Sequence, residues 1–197
     1  MKKRLCTYLL VHLLCAGSIA QTIEKGNNSI NLYYGVSLSN TIIKAFASVD
    51  QLNLQTTSQG PVGLVYEYML TNGIGLGAEF GYLKGTFSYQ EQIPFTNQLY
   101  DYEFNYRSVR AQVRSNFHFI RRESFDAYAL VGLGANSLKY TYVTNDPFFI
   151  PDIDLSILAL SFKTGLGLRY FITQNIGLHM ELALGAPILC GGLSVKF

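Results

Sequence analysis

From residue 29 to the C-terminus the chain alternates between two kinds of side chain, the period of strands whose faces meet unlike surroundings. Over 29–38, Ile30, Leu32, Tyr34, Val36 and Leu38 fall on one face, with Ser29, Asn31, Tyr33, Gly35 and Ser37 on the other. Residues 62–70 set Val62, Leu64, Tyr66, Tyr68 and Leu70 against Gly63, Val65, Glu67 and Met69. A tight turn over 71–73, with Asn72-Gly73 suited to positive φ, leads into a third strand reaching about residue 89. The fourth, 109–119, is the most polarised. Arg110, Gln112, Arg114, Asn116 and His118 oppose Val109, Ala111, Val113, Phe117 and Phe119. Upstream, Tyr100, Tyr102, Phe104 and Tyr106 carry apolar bulk in the opposite phase, which predicts a bulge near Arg107 and Ser108. Four further segments alternate in the same way: 126–142, 158–170, 176–185 and 189–197.

Eight strands result, most of them at or above the ~9–11 residues that cross a bilayer obliquely. The connections at 71–73, 120–125 and 171–175 are short, those at 39–60, 90–99 and 143–155 are long, and only 186–187 breaks the alternation. That layout predicts an all-β, eight-stranded antiparallel up-and-down transmembrane β-barrel. A soluble lipocalin-like binding barrel has the same period with its faces reversed. The polar face here is crowded with glycine, which suits a narrow lumen, and the other face is Leu, Ile, Val and Phe, which suits lipid. Phe117, Phe119, Tyr170 and Phe197 are expected to form an aromatic belt on the short-turn side. Tyr82, Phe104, Tyr106, Tyr140 and Tyr142 are expected to form the opposite belt or continue above it.

The first twenty residues differ in kind. Met1-Lys2-Lys3-Arg4 is a basic start, an apolar stretch follows to Cys15, and Ser18 and Ala20 give the small-x-small pattern of a cleavage site before Gln21. Residues 1–20 therefore read as a signal peptide and 21–197 as one exported barrel domain. A lipid anchor on Cys15 is disfavoured because Leu14, not a small residue, precedes it. Removing the segment takes three of 15 basic residues and no acidic one, leaving 12 against 13 acidic and a net charge of −1. With only 14% charged residues and no Lys/Arg cluster, nucleic acid is not an expected partner. Cys190 remains as a lone thiol, so no intramolecular disulfide, and no metal site or other cofactor, is expected.

The C-terminal Gly192-Leu193-Ser194-Val195-Lys196-Phe197 resembles the terminal strand signal of outer-membrane proteins, with Gly192, Val195 and Phe197 at its defining places. With the strand–turn–strand of 168–178, the mature chain resembles the small OmpA/OmpX-like outer-membrane β-barrel family of Gram-negative bacteria. The resemblance implies a cell outer membrane location, contact with outer-membrane lipid, and recognition by the barrel-insertion machinery through the last strand. It also suggests a protruding sheet whose edge pairs with foreign strands.

Candidate chemistry lies mainly on the polar face. Glu67, Glu79 and Glu181 with Arg110, Arg114, Lys163, Arg169 and Lys196 read as a salt-bridged lumen plug, with Glu79–Arg114 the favoured cross-strand pair; the alternative is an ion path. His179, Glu181 and Ser194 are the residue types of a hydrolase, but satisfied lumen polar groups are the simpler reading, so no catalytic residue is assigned. Loops 39–60 and 143–155, the latter with Pro147-Phe148-Phe149-Ile150-Pro151, offer surfaces for a partner. The expected function is a monomeric barrel without an open pore, acting in adhesion or envelope integrity and not as an enzyme. A lipid-modifying enzyme or a small-solute porin are the alternatives.

Overall fold

The structure is a computed structural model, and it describes residues 23–36, 55–92, 98–147 and 154–197. Eight strands form: β1 (Asn28–Val36), β2 (Gln55–Met69), β3 (Ile74–Gln92), β4 (Leu99–Arg121), β5 (Phe125–Thr144), β6 (Asp154–Phe171), β7 (Ile176–Leu184) and β8 (Leu189–Lys196). Each pairs antiparallel with its chain neighbours, and β8 returns to β1, so the sheet is a closed barrel. Closure removes sheet edges where lipid offers no hydrogen bonds.

Hydrogen-bonded rows close with an offset. From Tyr33 a row passes through Gly63, Gly81, Arg110 and Asn136 to Ala159 on β6. In the other direction it passes through Gly192 and His179 to Arg169 on the same strand. These end points are ten residues apart, a shear that in eight strands tilts each strand by about 40°. Strand lengths are uneven: β3, β4 and β5 have 19, 23 and 20 residues, whereas β1, β7 and β8 have 9, 9 and 8. The long strands therefore stand above the wall as a sheet.

The apolar face points outward. Leu32, Leu76, Phe80, Val113, Leu133, Phe162, Leu166, Leu178, Leu182 and Leu193 are all exposed, while Glu67, Arg114, Lys163, Arg169 and Glu181 are buried. This inverts a water-soluble barrel and suits a wall bathed in hydrocarbon. Phe117, Phe119, Tyr170 and Phe197 are outward near the short-turn end.

Three expectations are corrected. There is no register shift at Arg107–Ser108. Pairing runs unbroken from β3 and β5 across both residues, and the shifts lie at Gln59/Val62 and His118/Ile120. Tyr100, Tyr102 and Tyr106 are buried on the same face as Arg110 and Arg114, so the inner face of β4 changes chemistry without changing phase. Phe104, Tyr106, Tyr140 and Tyr142 consequently belong to the concave inner side of the protruding sheet and not to a lipid belt. Their rings pack with Phe87, Tyr89 and Tyr102: Phe87–Tyr106 centroids are 5.5 Å apart, Tyr89–Tyr102 5.0 Å and Phe104–Tyr140 5.7 Å. Finally, the segments read as long loops are shorter than expected, because strand structure reaches back to Gln55 and Asp154 and forward to Gln92 and Thr144. Residues 1–22, and most of 39–60 and 148–153 including the apolar tip, lie outside the described residues.

Candidate functional site: the charged lumen

Small residues on the inner face make room for large polar side chains to cross the barrel. A Cβ on Gly75 would fall 2.0 Å from Glu67 Oε1, and one on Gly167 would fall 2.2 Å from the Tyr128 ring. Glycine at these positions is a matter of space.

The upper half of the lumen is organised around Glu79 and Glu181. Arg114 from β4 reaches both: Nη1 donates to Glu79 Oε2 at 2.9 Å and Nη2 to Glu181 Oε1 at 2.7 Å. Lys163 from β6 also donates to both, to Glu79 Oε2 at 3.0 Å and Glu181 Oε2 at 2.8 Å. Arg110 donates to Glu79 Oε1 at 3.0 Å. Tyr33 and Tyr128 donate their phenolic hydrogens to Glu79 and Glu181 at 2.9 and 2.8 Å. Two carboxylates from opposite sides of the ring, on β3 and β7, thus hold three cations from β4 and β6.

The lower half is centred on Glu67. Arg169 Nη2 donates to Glu67 Oε2, and Arg169 Nη1 donates to Asp126 Oδ2 at 3.4 Å. His118 spans the same two carboxylates, with Nδ1 2.7 Å from Asp126 and Nε2 3.0 Å from Glu67. Asn116 joins the halves, donating to Glu67 Oε1 and accepting from Arg114 Nε at 3.1 Å. Below them Ile23, Met69 and Phe171 cluster at the short-turn mouth, and Lys196 Nζ lies 4.3 Å from the Phe171 ring centroid.

The network therefore gathers Glu67, Glu79, Arg110, Arg114, Lys163, Arg169 and Glu181. Asp126 is a further member, placed at the start of the fifth strand by the sequence but not counted there among the inward charges. Its parity with Tyr128, Leu130 and Gly132 was the available signal. The hydrolase types do not assemble. Ser194 Oγ donates to Asn31 Oδ1 at 2.7 Å, and both buried ring nitrogens of His179 lack a hydrogen-bond partner. Cys190 is a buried free thiol beside Tyr33 and Val65. Among the described residues no group of three His, Cys, Asp or Glu has the arrangement of a metal site. At the C-terminus Phe197 and Asn28 exchange two backbone hydrogen bonds of 2.9 Å; Val195 and Phe197 face outward, and Gly192 packs against the backbone of Leu32.

The profile of the outer membrane protein beta-barrel domain matches residues 7–185. No protein of curated function matches the sequence. Among solved structures, the N-terminal β-barrel domain of Pseudomonas aeruginosa OprF superposes with a TM-score of 0.50 at 13% identity, covering 89% of this chain and all of that one. Ail of Yersinia pestis, solved with the heparin analogue sucrose octasulfate, gives 0.44 at 19% identity over 88% and 99% of the two chains. Pseudomonas aeruginosa OprG gives 0.45 at 11% over 88% and 97%. A closed eight-stranded ring with an apolar exterior and a charged interior, matched over most of its length by that profile, places the chain in the outer membrane protein beta-barrel domain family.

Proposed function

We propose that this outer-membrane barrel works as a monomer by surface interaction, through the sheet that β2 to β6 raise above the bilayer, with a lumen plugged against solute flow. The observation that carries the proposal is an open strand edge. β6 pairs with β5 from Asp154 onward, but its pairing with β7 begins only at Thr164. Among the described residues no strand takes the other side of 154–162. Leu155, Ile157, Leu158 and Leu160 along it are exposed. An unpaired, apolar edge is a template for an incoming strand, and the stacked aromatic rings of β3 to β5 stiffen the sheet that presents it.

The packed lumen supports the closed reading. Its midsection is filled by paired Arg114, Lys163, Glu79 and Glu181, and interrupting such pairs to pass an ion is costly. Ser194 donates to Asn31 and shares no hydrogen bond with His179, which weighs against hydrolysis in the lumen. Assembly is proposed to run through the terminal strand, with Phe197 presented outward for the insertion machinery.

The test is L155K/I157K, which places two charges on the open edge without touching the barrel. Cells displaying this variant are expected to lose most surface binding, whether scored on host cells or matrix, while the unboiled protein keeps its compact gel mobility. Full binding by a correctly folded variant would remove the edge from the mechanism.

A further inference from the structure

The outer face of the long strands carries a second feature that the surface-interaction reading does not use. Lys84 on β3 is the register partner of Arg107 on β4, and Arg107 is the register partner of Lys139 on β5. Three cations therefore sit side by side across about 10 Å, at the ~4.8 Å spacing of neighbouring strands. Like charges directly opposite one another destabilise a sheet, so such a row calls for an anion. Asp154 supplies one, accepting from Lys139 Nζ at 2.8 Å. Among the described residues Lys84 and Arg107 have no acidic partner; Glu103, the nearest outward carboxylate further up β4, accepts from Asn105 instead. Around the row lies a cleft of about 200 Å³ whose remaining lining is Asn105, Tyr106 and Thr141.

Height decides what meets this row. Lys84 follows Ile74 by ten residues on β3, which at the strand tilt is ~25 Å along the barrel axis. Ile74 is at the short-turn end, and ~25 Å is the height of the apolar band of an outer-membrane barrel. The cations thus stand where hydrocarbon gives way to headgroups. Directly beneath them the lipid face is indented. Ala78 and Ala111 floor a groove of about 400 Å³ walled by Tyr66, Phe80, Val113 and Leu133. Phe80 is four residues below Lys84 on the same strand, about 13 Å, so groove and cations lie in line down one strand.

We propose that this face holds a phosphorylated lipid of the outer leaflet, its headgroup phosphate on Lys84, Arg107 and Lys139 and one acyl chain in the groove over Ala78 and Ala111. The site rests on the lipid-facing orientation of the wall and is independent of the β6 edge. Charge complementarity selects the phosphate, and the in-line groove selects a ligand with a chain.

The experiment is native mass spectrometry of the full barrel in detergent, titrated with diphosphoryl lipid A, the same lipid stripped of phosphate, and inorganic phosphate. Retention of diphosphoryl lipid A by the wild type is expected. K84Q/R107Q/K139Q should weaken it by about a hundredfold. The charge-preserving K84R/R107K/K139R should retain it, and A111F should weaken it several-fold by filling the groove. Unboiled gel mobility reports that each variant is folded. Equal retention of the dephosphorylated lipid, or no loss in the glutamine variant, would overturn the headgroup assignment. Inorganic phosphate binding as tightly as the lipid, with A111F silent, would reduce the site to one for a free anion and overturn the lipid.

Discussion

Arg114 is the residue on which the interior turns. Its guanidinium donates from Nη1 and Nη2 to two carboxylates and from Nε to Asn116, and its side chain is almost wholly removed from solvent. The net worth of such a buried set is modest, because desolvation offsets attraction, but removing one member leaves charges stranded. Arg114→Ala should therefore lower stability by about 3–5 kcal/mol, measured as the urea midpoint of folded barrel in micelles. A loss below 1 kcal/mol would mean that water or a neighbour replaces the guanidinium at no cost. The polar parity of β4 already showed that Arg114 faces inward. That it meets Glu181, which is 67 residues away in sequence, follows only from the curvature that brings β4 across from β7.

At the scale of the strand, β4 shows where a one-dimensional reading goes astray. Its lower half follows the usual contrast of polar inside and apolar outside; its upper half has Tyr102, Phe104 and Tyr106 inside and Glu103, Asn105 and Arg107 outside. Read as hydropathy, this reverses phase and suggests a bulge. Physically the strand is regular, and the solvent changes: below, the exterior is lipid, and above, it is water, so aromatic bulk moves to the sheltered concave side. Phe87→Ala would remove the ring that stacks on Tyr106 and lies tilted against Phe104. Amide hydrogen exchange over 84–90 and 102–108 is expected to accelerate by about tenfold or more, with exchange in β7 and β8 unchanged. Uniform acceleration throughout the barrel would show that the sheet and wall unfold together.

For the whole molecule, the consequence is a ring that is closed, tilted and filled. Two carboxylates from facing strands, bound by three cations, occupy its middle, and Ile23, Met69 and Phe171 cluster at the short-turn end. In planar bilayers the purified protein is expected to give no stable single-channel steps, because eight strands leave room for side chains and not for a water column. Regular steps of uniform size would contradict the plug and revive the small-solute pore. The uneven height of the ring has its own effect: low walls at β1, β7 and β8 beside tall β3 to β5 expose the 154–162 edge at one side of the mouth.

Periodicity alone determined the strand number, the antiparallel order and which residues of the wall below the protruding sheet face each way, because side-chain parity along a strand is a local property of the backbone. It also identified Glu67, Glu79, Glu181, Arg110, Arg114, Lys163 and Arg169 as one inward set. Their division into an upper and a lower network, the entry of Asp126 and His118, and the alignment of Lys84, Arg107 and Lys139 were decided by register and shear. Those are properties of strand pairing: the register of neighbouring strands aligns the outer row, the ten-residue offset on closure fixes which rows meet across the lumen, and no single strand carries either.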